Sequence, residues 1–225
     1  MFGKNPKRPP VKGDGSVLAV KNIFKTIQGE GLHVGVPAIF LRLGGCNLAC
    51  EFCDTEFEGY EDLAMAKILA KIDNLSLNDK SVRTVHLVVI TGGEPFRQPI
   101  GALCSALLDV GFLVQIETNG SIYSPVPEEV DIICSPKVSN GKYLSIREDL
   151  LPKVAALKFL ISANLKGYDG VPELGQTRYK IPVFVQPMDE YNPALNAKND
   201  KMAVDLAINN GYRLSYQIHK KLGIE

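Results

Sequence analysis

Short apolar, β-branched runs alternate along this chain with longer stretches of helical period. That is the rhythm of a mostly parallel sheet with strands covered on both faces. The pattern predicts strands at Val17–Phe24, Ala38–Leu43, Val85–Ile90, Phe112–Glu117, Asp131–Cys134, Leu157–Ile161, Val183–Gln186 and Arg213–Gln217. Helices are expected at Asp62–Ile72, Pro99–Val110 and Pro193–Asn209, the last with Pro near its first turn and Gly211 past its end. Helical periodicity is weak between Ser139 and Ala155, so that crossover reads as short or irregular. Polar, Gly-rich or chemically active residues follow nearly every strand: GGCNLACEFCDT, TGGEP, TNG, SPK, SAN, QPMD and YQIHK. The C-terminal ends of parallel strands are where α/β sheets and barrels carry their sites.

Composition narrows the class. The chain has 225 residues, 45% of them hydrophobic, with 25 Lys plus Arg against 25 Asp plus Glu. A net charge of zero argues against a broad electrostatic grip on nucleic acid or acidic lipid. No apolar run approaches the roughly 18 residues of a membrane span. The first 15 residues, MFGKNPKRPPVKGDG, carry cations with no apolar block behind them, which is not a secretory signal. They read as a loose basic arm before a single domain over 16–225, and a cytoplasmic location is expected.

Five cysteines are an odd count for a disulfide framework, and Cys46, Cys50 and Cys53 stand too close together to brace a chain this long. Neighbouring thiolates bind soft metals together. A [4Fe–4S] cluster usually takes four cysteines. Cys104 falls in a predicted helix and Cys134 ends a strand, so both read as small buried hydrophobes. Three ligands would leave one iron open to a further chelator. The alternative is a structural zinc completed by a distant histidine, although His33, His86 and His219 do not fall at zinc-finger spacing. His33 and His86 carry no assigned role.

CxxxCxxC after one strand and GGEP after the next resemble the radical SAM superfamily. The run FKTIQGEGLHVGVPAIFLRLGGCNLACEFCDT, with ETNG, SPK, QPMD and the terminal QIHK, resembles the 7-carboxy-7-deazaguanine synthases within it. The resemblance covers most of the chain from about Ile23 onward. It implies a partial TIM-type barrel, a [4Fe–4S] cluster on Cys46, Cys50 and Cys53, and S-adenosylmethionine chelating the open iron. Cleavage of that cofactor would give a 5′-deoxyadenosyl radical that takes hydrogen from 6-carboxy-5,6,7,8-tetrahydropterin. Ring contraction and loss of ammonia then give 7-carboxy-7-deazaguanine, a queuosine precursor.

By the same resemblance, Phe52, Cys53 and Asp54 lie along the cofactor. Gly92 and Gly93 would let it approach the backbone, and Glu94 would take its ammonium or brace the loop. Ser135, Pro136 and Lys137 would meet its ribose and carboxylate end, and Gln186, Pro187, Met188 and Asp189 its adenine. Thr55 is implied as a magnesium ligand; read locally, Asp54–Thr55 would be a helix N-cap. On the substrate side, Ile27, Gln28, Gly29 and Glu30 suit the pterin edge, and Arg42 and His219 the carboxylate. Thr91 and Thr118 are further wall residues, and the terminal Glu225 would fold over the site. A homodimer and a flavodoxin-type electron donor are also implied. A glycyl-radical activase shares CxxxCxxC and GGE but not QGEG or QIHK, and a non-catalytic zinc or iron module is the third alternative.

Overall fold

The computed structural model describes residues 5–224. Its elements, in chain order, are β1 (Val17–Ile27), β2 (Pro37–Leu43), β3 (Glu61–Ala64), α1 (Met65–Ser76), β4 (Leu87–Gly92), α2 (Gly101–Asp109), β5 (Leu113–Thr118) and β6 (Asp131–Cys134). Then come β7 (Val138–Ser139), β8 (Lys142–Tyr143), β9 (Val154–Ile161), α3 (Gln176–Tyr179), β10 (Val183–Pro187), α4 (Pro193–Asn210), β11 (Arg213–Leu214) and α5 (Ile218–Leu222). Nine strands form one sheet in the order β11-β10-β9-β6-β5-β4-β2-β1-β3, while β7 and β8 pair as a separate hairpin in the weakly periodic crossover. From β2 to β11 neighbouring strands run parallel; β1 joins β2, and β3 joins β1, antiparallel. Two edges remain, so the sheet is an open, partial barrel.

The period of two along each strand decides what faces what. Ile39, Leu41 and Leu43 of β2, Val88 and Ile90 of β4, Leu157, Phe159 and Ile161 of β9, and Val183 and Val185 of β10 join one core with Ile68 and Ile72 of α1 and Leu103 and Leu107 of α2. The alternate positions face inward. Near the strand starts they are apolar: Ala38, Leu87 and Val89 pack with Phe40, and Ile133, Ala156 and Phe184 form a second cluster. Further along the same faces come Arg42, Thr91, Glu117, Lys158 and Gln186, which line a cavity. Apolar packing thus closes one end of the interior and leaves the C-terminal strand ends polar.

Three expectations change. The helix foreseen from Asp62 starts at Met65, because Glu61–Ala64 instead pair antiparallel with Val17–Val20 at the sheet edge. The strand foreseen to Gln217 stops at Leu214. The segment expected as a loose arm is bonded from Asn5 on: Arg8 N donates to Cys46 O (2.7 Å) and Val11 N to Arg97 O (2.7 Å). Its composition supplies no element of its own, but its backbone finds partners in a distant loop. By contrast, α4 carries the expected Pro193 in its first turn and Gly211 past its end at φ 69°, and Asn192 Oδ1 caps it by accepting from Ala194 N and Leu195 N.

Candidate active site

A cavity of about 400 Å³ opens at the C-terminal strand ends. One side is the loop after β2, which carries Cys46, Cys50 and Cys53. All three thiols are unpaired and line the cavity. Burial pushes the Cys46 thiol up to about 12, and Leu48 N donates to its sulfur at 3.4 Å. A cation there would reverse the burial effect and drive deprotonation.

Gly92 and Gly93 have a stricter reason to be glycine than ligand approach alone. A Cβ on Gly92 would stand 2.2 Å from Leu43 O, and one on Gly93 would stand 2.0 Å from Gly45 O. The TGGEP turn therefore packs backbone to backbone under the cysteine loop, and Glu94 N donates to Gly45 O (3.1 Å). Glu94 is fully buried and does not line the cavity. Its carboxylate accepts from Phe96 N (3.1 Å), Thr118 Oγ1 (2.7 Å) and Asn119 N (2.7 Å). Burial pushes its pKa up to about 7 against the pull of those donors. The bonds from Thr118 and Asn119 tie the turn to the end of β5 and the loop after it.

Asp54 and Thr55 line the cavity, and no helix follows them, so the N-cap reading fails. Thr55 Oγ1 donates to Asp54 Oδ1 (3.3 Å), which leaves its lone pairs free. Phe52, Ser135, Lys137, Gln186, Met188 and Asp189 also line the cavity, whereas Pro136 and Pro187 do not: each is the backbone link between lining residues. Lys137 Nζ donates to Ser135 O and Oγ (2.7 and 2.8 Å). Gln186 spends its Oε1 on Ser215 Oγ (2.8 Å).

Ile27, Gln28, Glu30, Arg42, Thr91, Thr118 and His219 also line the cavity wall. Gly29 lies behind it, and its bare Cα admits His219: a Cβ would stand 2.1 Å from the ring Nδ1. Arg42 lies beside Thr91 in register, stacks over Phe24 at 5.3 Å, and its buried Nε has no hydrogen-bond partner. Glu225 lies outside the described residues.

Sequence reasoning missed the charged partners of Glu30 in this wall. Lys158, 4% exposed, pairs with Glu30 and stands 3.5 Å from Glu117. Gln217 donates to Glu30 (2.7 Å), and Gln28 and Gln115 donate to Glu117 (3.0 and 3.1 Å). Burial works to raise the Glu30 pKa, but Lys158 and Gln217 hold it down at about 2. Burial likewise works against the Lys158 charge, yet Glu117 and Glu30 raise its pKa above the usual lysine range. The available signal was a lone lysine in the apolar run VAALKFLI, facing a lone glutamate in LVQIET. Lys220 was also missed; it bridges Asp54 (3.0 Å) and Asp189 (3.2 Å) and so ties α5 across the mouth.

Among the described residues, no three His, Cys, Asp or Glu side chains gather tightly enough to grip one metal ion. A cubic cluster asks for something else, one thiolate at each of three corners, and three thiols around one cavity fit that donor set. Fold and site define the class, and the family model described as Radical SAM superfamily matches residues 41–139. A protein of Rickettsia prowazekii named 7-carboxy-7-deazaguanine synthase is 60% identical, over 100% of this chain and 96% of its own length. One of the same name from Rhodospirillum rubrum is 39% identical over all of both chains. The crystal structure of QueE from Escherichia coli superposes with a TM-score of 0.74 at 26% identity, over 89% of this chain and 94% of its own. The chain therefore belongs to the 7-carboxy-7-deazaguanine synthase family of radical SAM enzymes, a class that works with a [4Fe–4S] cluster and S-adenosylmethionine.

Proposed function

We propose that this protein converts 6-carboxy-5,6,7,8-tetrahydropterin to 7-carboxy-7-deazaguanine with release of ammonia, a step toward queuosine. The observation that carries the reading is one cavity lined both by the three thiols and by Arg42, whose buried Nε has no hydrogen-bond partner, together with Glu30, a carboxyl held well below its usual range. Cys46, Cys50 and Cys53 would hold the cluster. Phe52, Asp54, Gly92, Gly93, Ser135, Lys137, Gln186, Met188 and Asp189 line the space for S-adenosylmethionine. Bound together, the two groups supply a carbon radical able to take a hydrogen atom from the substrate.

The chain's own work is placement. Arg42 offers guanidinium N–H groups to the substrate carboxylate, with His219 as a second donor. Glu30 stays ionised and accepts from the donor-rich pterin edge, beside Gln28 and Glu117. Thr91, Thr118 and Ile27 complete the wall, with Gly29 giving His219 its room. Thr55 supplies a hard oxygen for magnesium, which needs only one or two protein oxygens and would orient the substrate carboxylate. A homodimer, a reduced flavodoxin-type donor and a cytoplasmic location belong to the same proposal. Among the described residues, no helix is long and apolar enough to cross a membrane.

The test is turnover. Anaerobically reconstituted protein should carry about four irons per chain and, with reductant, should turn the tetrahydropterin into the deazaguanine. An intact cluster that cleaves S-adenosylmethionine but leaves the pterin unchanged would overturn the assignment.

A further inference from the structure

The cysteine loop has no regular secondary structure of its own between Gly44 and Tyr60. Its inner side rests on the TGGEP turn, and Asn47 is held by Asn119 (2.9 Å) and Ser121 (2.8 Å). Its outer side is held by residues 5–11, which nothing in the reading above uses. Arg8 N donates to Cys46 O at 2.7 Å, beside a bridge between Lys7 and Cys46. Asn5, 9% exposed, donates its side-chain amide to Thr55 O at 2.9 Å and itself lines the cavity. The Arg8 guanidinium pairs with Glu58 at 2.7 Å.

Arg97 joins the two sides. Its Nη1 donates to Pro9 O (3.0 Å), its Nη2 to Gly44 O (2.9 Å), and its own carbonyl accepts from Val11 N (2.7 Å). Gly45, at φ 75°, leaves room for that guanidinium, since a Cβ there would stand 2.8 Å from Nη2. The segment therefore fixes the carbonyls of a thiol residue and of the candidate magnesium ligand, and covers the loop's outer edge.

We propose that residues 5–11 form a positioning strap, with Asn5 and Arg8 holding the cysteine loop in its ligating shape and limiting access to the cluster. The proposal rests on the cluster reading above. Strap residues touch ligand-bearing backbone and not iron, so their effect falls on cluster retention. Partners one step removed from a metal ligand typically matter by about 10–100-fold in affinity.

The experiment compares the reconstituted full chain with Asn5→Ala, Arg8→Ala and a chain beginning at Lys12. It follows loss of the cluster's visible absorption under excess iron chelator, and separately the thermal midpoint of each apo protein. The strap predicts loss about tenfold faster in the shortened chain and clearly faster in Asn5→Ala, with the apo midpoint of Asn5→Ala unmoved. Loss at the full-length rate in every variant overturns it. If the shortened chain does not fold, the two single substitutions decide. A full-length chain that takes up no cluster overturns the cluster reading and the strap with it.

Discussion

Lys158 shows what a single residue does here. It is a buried cation between two carboxylates, and removing one partner from such a group leaves an uncompensated charge. Lys158→Met is expected to cost about 3–5 kcal/mol in denaturant unfolding of the apo protein; a cost near zero would remove Lys158 from the account. The Glu30 pKa, held at about 2 against an ordinary 4.5, sets the pH sense. Between those values the unfolded chain binds more protons, so the stabilisation is complete above about 4.5 and is lost as pH falls through about 2. In Lys158→Met burial keeps its upward pull on Glu30 while its strongest opposing partner is gone, so the part of the acid-side loss due to Glu30 shrinks, which unfolding midpoints from neutral pH downward will show. Glu94→Gln makes a separate case. It turns one acceptor into a donor facing an N–H, and unfolding should be easier by about 1–3 kcal/mol. Unchanged stability would mean that the brace is not needed.

At the scale of elements, legibility followed burial. Asp131–Cys134 was legible to the residue, and β2, β5 and β10 nearly so, because strands covered on both faces are apolar over most of their length. β3 was not legible, since EDLA has no strand pattern and exists only by pairing with β1. The same holds for the strap. The Cys, TGGEP and QGEG residues were legible through the loops they occupy, and most of them line one cavity. Lys158, Glu117 and Lys220 were not, because their ion-pair partners lie 31 to 166 positions away, where no local pattern displays them. The five-residue α5 depends on such a partner. With Lys220→Met both bridges go, and amides of 218–224 should exchange hydrogen several-fold faster while α4 is unaffected. Equal exchange would show that α5 stays docked without the latch.

For the molecule as a whole, the zero net charge conceals a sharp internal division. Apolar residues close one end of the open barrel, and the charged groups share one cavity of about 400 Å³ with the thiols at the other. Binding a small, doubly functional substrate requires that division, and a site for a broad polyanion does not. The most direct test of the central claim is the stoichiometry of turnover on 6-carboxy-5,6,7,8-tetrahydropterin by the anaerobic, reduced, reconstituted protein. Ammonia and 7-carboxy-7-deazaguanine should appear in equal amounts while S-adenosylmethionine is regenerated and not used up. Consumption of S-adenosylmethionine with neither product formed would contradict the account.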